Sequence, residues 1–350
     1  MANTRGLRAG KPEENVGERS LSLVSGPVLV TGGAGYIGSH VCKALAEAGI
    51  QPICLDTLEK GHDWAVRWGS LERGDVGDGR FVEEVFVRHR PQVVIHLAGY
   101  IEVGESVTHP ERYLSNNAAK SRVLIGAALR HKVKAFVFSS TCAVYGLPQT
   151  ELLAESHRIA PINPYASSKA SVERALDAAA WQGLRAASLR YFNATGADAA
   201  AEIGEAHDPE THLLPLAVDA ALGLRGPLDV HGSDYRTEDG SCVRDYVHVT
   251  DLADAHLRAV QWLMSQKGRG RHDVFNLGSG TGHSVKQVVD SIGRLVGRPV
   301  PHVYGARRPG DSPRLVGCID KAQRELGWSP VRGLETQIED TARWRMSMRR

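Results

Sequence analysis

From about residue 27 onward, short apolar runs alternate with amphipathic stretches. Val28-Leu29-Val30 reads as a buried strand. It runs into Gly32-Gly33-Ala34-Gly35-Tyr36-Ile37-Gly38, then a helix-like stretch from Ser39 to Glu47 that Gly49 stops. Ile53-Cys54-Leu55, Val93-Val94-Ile95-His96-Leu97 and Ala135-Phe136-Val137-Phe138 are further strands, with helical stretches between them. Continuous apolar strands separated by helices predict an α/β chain with a parallel sheet covered on both faces. After about Thr195 the pattern turns irregular and rich in Gly, Pro and Asp, which predicts a smaller second part. The boundaries expected are a disordered polar extension over 1–25, a first domain over 26–195 and an α/β substrate subdomain over 196–350. Segments near 244–260, such as Tyr246-Val247-His248-Val249, are expected to return to the first domain.

Composition narrows the classes. The 350 residues are 42% hydrophobic and 23% charged, enough to build a core. Lys and Arg (42) nearly cancel Asp and Glu (40), so a general nucleic-acid binder is not expected. No apolar run approaches the roughly 20 residues of a membrane span, and the N-terminus lacks an apolar signal region. The five cysteines (42, 54, 142, 242 and 318) form no C-x-x-C pair. Free thiols in a reducing cytoplasm are the expectation, without zinc or disulfides.

The glycines carry the first chemistry. Gly33-x-Gly35-x-x-Gly38 follows a strand and opens a helix, and Asp56 ends the next strand 18 residues after Gly38. That context predicts a Rossmann-type, doubly wound dinucleotide site. The helix N-terminus would face the pyrophosphate, and the Asp56 carboxylate would take the ribose hydroxyls and repel a 2′-phosphate, favouring NAD over NADP. Asp75 reads equally as an adenine contact and as an Asx turn.

Tyr165 and Lys169 stand at i and i+4 on a stretch that Pro164 opens and good helix formers continue, so they share a face. A neighbouring ammonium is expected to lower the phenol pKa and suit it to general acid–base work. Ser139-Ser140-Thr141 follows a strand, at the end where α/β sheets bind ligands. It reads either as a hydroxyl aimed at the reacting oxygen or as an ordinary strand-end turn. His207-Asp-Pro-Glu-Thr-His212 holds ligand-type residues, but its spacing fits no standard metal site, and no metal is expected.

Together these strings resemble the extended short-chain dehydrogenase/reductases, and within them the UDP-glucose (UDP-galactose) 4-epimerases. The resemblance runs from Val28 to about Trp344. It rests on VTGGAGYIGSH (30–40), GESV (104–107), NN (116–117), FSSTCAVYG (138–146), PYASSK (164–169), LRYFNATGA (189–197) and HDPETHLLP (207–215). DYRTEDGSCVRDYVHVTDLADAH (234–256), RRPGD (307–311) and ELGW (325–328) complete it. The resemblance implies catalysis by Tyr165, Lys169 and Thr141. It implies NAD contacts from Gly32, Gly35, Tyr36, Ile37, Gly38, Asp56, Asp75, Val76, Leu97, Ala98, Gly99, Asn116, Ser139 and Tyr191, besides Tyr165 and Lys169 themselves. It places the UDP-sugar against Thr141, Tyr165, Asn193, His212, Leu213, His231, Arg244, Arg308, Asp311 and Leu315. The reaction implied is reversible 4-epimerisation, UDP-galactose to UDP-glucose, through a transient 4-keto sugar on tightly held NAD, in a cytoplasmic homodimer.

Three positions depart from the family pattern. Ile101 replaces a lysine, Leu315 takes a gatekeeper position associated with admitting or excluding N-acetylated sugars, and Thr57 and Lys60 alter the loop after Asp56. UDP-xylose/UDP-arabinose or UDP-N-acetylhexosamine epimerisation is therefore the alternative. A 4,6-dehydratase would need an acid beside Thr141, where Cys142 and Ala143 stand. An NAD-binding regulator would be expected to lack Tyr165 or Lys169. A non-epimerising oxidoreductase that releases its cofactor is a further alternative.

Overall fold

The structure is a computed structural model that describes residues 24–308 and 312–348. Most of the extension expected over 1–25, and Asp311, lie outside the described residues.

The first half runs β1 (Val28–Thr31), α1 (Tyr36–Glu47), β2 (Pro52–Asp56), β3 (Ser70–Arg73), α2 (Gly79–His89) and β4 (Val93–His96). It continues through α3 (Val103–Thr108), α4 (Pro110–Tyr113), α5 (Lys120–Arg130), β5 (Ala135–Thr141), α6 (Pro164–Trp181) and β6 (Arg185–Tyr191). The second half carries β7 (Asn193–Thr195), α7 (Leu213–Ala221), β8 (Leu228–His231), β9 (Val243–His248), α8 (Val249–Ser265) and β10 (Arg271–Leu277). It ends with β11 (Gly282–Ser284), α9 (Val285–Val296), β12 (His302–Gly305), β13 (Arg314–Leu315) and α10 (Leu334–Ser347).

Seven strands form one parallel sheet in the order β10-β6-β5-β4-β1-β2-β3. Every residue of β1, β2, β4 and β5 is buried, which is why these strands read as continuous apolar runs. One face packs on α1 and α8 through Val30, Val41, Leu45, Ile95, Leu252 and Val260. The other packs on α2, α5 and α6 through Leu29, Val85, Phe86, Leu124, Phe136 and Leu176. The strand order reverses between β1 and β4, and such a switch opens a crevice at the C-terminal strand ends. There Thr31 Oγ1 meets His96 Nδ1 at 2.6 Å, and His96 Nε2 meets Ser121 Oγ at 2.7 Å. Burial pulls His96 down to about 3, so it stays a neutral clamp across the switch.

The smaller part has its own core of Leu214, Val218, Val230, Tyr246, Val288, Ile292 and Ile338. Strands β11, β9 and β13 form a second sheet with β7 beside β9, and β12 pairs with β8. Tyr246–His248 thus belongs to β9 in the small sheet, parallel to Asn193–Thr195, and does not join the first sheet. What returns is α8, laid on α1, and β10, which pairs with β6. Among the described residues no helix is long and apolar enough to cross a membrane.

Candidate active site

One cleft opens at the switch. The first strand–turn–helix shapes its floor. Gly32 holds φ +72°, and a Cβ there would lie 2.6 Å from Ala98 N. A Cβ on Gly38 would sit 2.0 Å from the Gly32 carbonyl oxygen. The turn therefore folds only with bare glycines, and it brings the backbone itself to the cleft. Helix α1 opens at Gly35 with no side-chain cap and no acid in its first turn, so its first N–H groups are left for a ligand. Asp56, at the end of β2, accepts Ala34 N (3.1 Å) and Leu58 N (2.9 Å), which fixes its carboxylate against the turn.

All the residues expected to touch NAD line this cleft: the glycine turn, Tyr36, Ile37, Asp56, Asp75, Val76, Leu97, Ala98, Gly99, Asn116, Ser139, Tyr165, Lys169 and Tyr191. Thr141, Asn193 and His212 line it too. Asp75 makes the Asx turn, accepting Gly77 N at 2.8 Å, and pairs with Lys120 at 2.5 Å while still lining the cleft. Lys60 donates to the Asp208 carbonyl at 3.1 Å. Leu213, His231, Arg244, Arg308 and Leu315 are not among the lining residues. Leu213 starts α7, His231 ends β8 and Arg308 is exposed. Arg244 donates to the carbonyls of Val243 and Ser312, and Leu315 pairs beside it and packs on the cluster that holds Phe192.

Helix α6 delivers the Tyr/Lys pair. Pro164 opens it, and Asn163 caps it by accepting Ala166 N at 2.8 Å. Lys169 is 3% exposed and donates to the Ser139 carbonyl at 2.8 Å. Tyr165 keeps some exposed surface, but protein surrounds its phenol, and Thr141 hydrogen-bonds it. Ser139 and Tyr191 hydrogen-bond each other alongside. The expectation that Lys169 lowers the Tyr165 pKa does not hold for the protein alone. Burial pushes Tyr165 up to about 12 against the pull of Thr141, and burial pulls Lys169 down to about 8. Both groups have left water, and that penalty exceeds what one ammonium bound to a carbonyl returns.

This has a stability consequence. The Lys169 pKa falls from 10.5 to about 8 on folding. Below pH 8 both states hold the proton and folding bears the full penalty. Between pH 8 and 10.5 the unfolded chain binds more protons, so stability rises with pH. Lys169→Met is expected to stabilise the cofactor-free chain at pH 7 while depressing turnover. Thermal melts at pH 7 and pH 10 check this: the stabilisation should shrink at the higher pH.

Several residues in and behind the cleft escaped the sequence reading as parts of the site. Asn117 accepts Tyr100 N at 2.8 Å and donates to Tyr100 O and Ser168 Oγ, tying the Gly99–Tyr100 turn to α6. The NN string is a local signal for it. Glu102 lines the cleft and accepts from Tyr113 Oη at 3.2 Å. Glu205 and His207 line it from the far side. Buried Asp245 accepts from Ser279 N, Gly280 N and Gly317 N, gathering the backbone below Asn193, whose amide donates to the Asp245 carbonyl.

Residues 28–278 match the NAD dependent epimerase/dehydratase family, and the chain belongs to that family. Among named relatives it is 51% identical to the UDP-glucose 4-epimerase of Rhizobium meliloti (strain 1021), over 91% of this chain and 96% of that one. Among solved structures it is similar to the UDP-glucose 4-epimerase from Brucella ovis in complex with NAD. Identity is 45%, TM-score 0.88, with 91% of this chain and 98% of that one covered. It also matches the Stenotrophomonas maltophila UDP-glucose-4-epimerase with bound NAD and formylated UDP-arabinopyranose, at 36% identity and TM-score 0.89, covering 93% and 99%.

Proposed function

We propose that the chain catalyses reversible 4-epimerisation of a UDP-sugar, UDP-galactose to UDP-glucose, on tightly bound NAD. The observation that carries this reading is a single cleft uniting the glycine turn, Asp56 and the Thr141–Tyr165–Lys169 group. The cleft fits NAD: its glycines admit no Cβ, its helix end is uncapped, and Asp56 keeps lone pairs for a ribose.

Bound NAD would supply a hydride acceptor and donor for C4, and the positive charge of its ring would pull the neighbouring phenol down toward neutral pH. Tyr165 takes the proton from the sugar 4-hydroxyl and, once the 4-keto sugar has turned, returns it to the same oxygen. Thr141 hydrogen-bonds the same oxygen and the phenol. Lys169, anchored on Ser139, holds positive charge beside the cofactor ribose and the phenol. Both faces of C4 must meet one fixed hydride site, so the protein grips UDP and leaves the sugar free to turn. Asn193, His212, Leu213, His231, Arg244, Arg308 and Asp311 are the UDP grip in this reading, with Leu315 near the sugar. The two arginines suit a diphosphate because a guanidinium binds it bidentately. The reading extends to a cytoplasmic homodimer, supported by the family resemblance. Light scattering on the purified chain tests the dimer.

The experiment is conversion by purified protein with no NAD added. UDP-galactose should yield UDP-glucose, with UDP-arabinose and UDP-N-acetylgalactosamine run in parallel to rank what Leu315 admits. Conversion that requires added NAD would contradict a retained cofactor.

A further inference from the structure

We propose that Glu205, His207, Glu210 and His212 form a binding site for one divalent cation of the zinc class. The residues come from a single segment between β7 and α7, Glu205 standing two residues before the HDPETH string. One ligand atom from each lies within 4.8 Å of all the others. Glu205 Oε1 is 3.1 Å from His207 Nδ1 and 2.7 Å from His212 Nδ1. Glu210 Oε1 is 3.9 Å from His207 Nδ1 and 3.1 Å from His212 Nδ1. A tetrahedral zinc with bonds of about 2.0–2.1 Å needs ligand atoms about 3.3–3.4 Å apart, so these four close on a cation with small side-chain shifts.

A second observation concerns Glu210 alone. Its side chain is 9% exposed, and Oε1 accepts the N–H groups of Thr211 and His212, which fixes the carboxylate. Its other oxygen, Oε2, is buried with no hydrogen-bond partner. Buried carboxylate oxygens are normally satisfied, and a cation held by this carboxylate would supply the missing partner. Two carboxylates and two neutral imidazoles carry −2, which a divalent ion neutralises. The ion takes the place of the proton that otherwise lies between His212 and Glu205, and that proton leaves to solvent. Mixed imidazole and carboxylate donors select zinc-class ions over magnesium or calcium. The Tyr36 ring stands edge-on to His207, 6.2 Å away, and walls the site. A bound ion would pin residues 205–212 beside the cleft that Glu205, His207 and His212 line.

The test uses tag-free, full-length protein dialysed against a chelator and titrated with Co2+, then Zn2+. One equivalent of Co2+ should give the visible bands of a tetrahedral centre, and Zn2+ should bleach them. His207→Ala and Glu210→Gln should each lose the bands while retaining a cooperative melt. Absence of a stoichiometric signal in the unsubstituted protein overturns the proposal, whether or not the variants fold. Equal signals in the unsubstituted protein and both folded variants overturn it too. The four side chains are then an ion-pair cluster only.

Discussion

Tyr165→Phe is expected to lower the epimerisation rate by about 10²–10⁴-fold, the range assigned to a positioned acid–base group. The substitution deletes one oxygen from a site whose other parts hold themselves. Lys169 rests on the Ser139 carbonyl, the glycine turn on Ala98, and Asp56 on Ala34 and Leu58. NAD content and UDP affinity should therefore stay near those of the unsubstituted protein. The burial that pushes Tyr165 up to about 12 also predicts the pH behaviour of its phenol. In the cofactor-free protein a spectroscopic titration should show it neutral through pH 9. With NAD bound, ionisation should move lower as positive charge enters the cleft. Steady-state assays and that titration check the two halves. Normal turnover by the variant would remove Tyr165 from the mechanism.

The largest stability effect is expected at Arg190→Met. Arg190 on β6 and Glu173 on α6 are 5% and 7% exposed and pair through two hydrogen bonds of 2.9 and 2.6 Å. Ser140 donates to the same carboxylate at 2.6 Å, and Arg190 donates to Tyr145 Oη at 3.0 Å. Removing the guanidinium leaves a buried carboxylate without its counter-charge, which costs about 3–5 kcal/mol. Glu173 lies one turn beyond Lys169, so loosening it also loosens the seat of the Tyr/Lys pair. Denaturant unfolding should show the loss, and the double variant Arg190→Met/Glu173→Met should recover most of it. A single variant as stable as the parent would show that the Arg190–Glu173 pair contributes nothing to folding.

The chain pattern carried the centre of the fold and lost its edges. Strands β1, β2, β4 and β5 are buried throughout, so hydrophobicity alone marks them. Edge strand β3, Ser-Leu-Glu-Arg, is half solvated and has no apolar run to read. Strand β10 opens on Arg-His-Asp and turns apolar only at its end, while β9 ends on the buried run Tyr246-Val247-His248 yet pairs in the smaller sheet. Pairing partners are a tertiary choice that local pattern does not encode.

The site divides the same way. Gly33, Gly35, Gly38, Asp56, Tyr165 and Lys169 were legible because turn geometry and helical spacing are local properties. The pKa values of the pair were not, because they depend on how completely the fold shuts out water. Glu205 had no motif signal of its own: it stands two residues before His207, and the turn of the segment brings it to His212 as well.

The most direct test of the account follows the hydrogen at C4. UDP-galactose deuterated at that carbon should give UDP-glucose that keeps the deuterium at C4, in ordinary water and without added NAD. The cleft that holds the sugar then also holds the hydride between its departure and its return. Loss of the label to solvent, or no conversion at all, would contradict epimerisation through a retained cofactor.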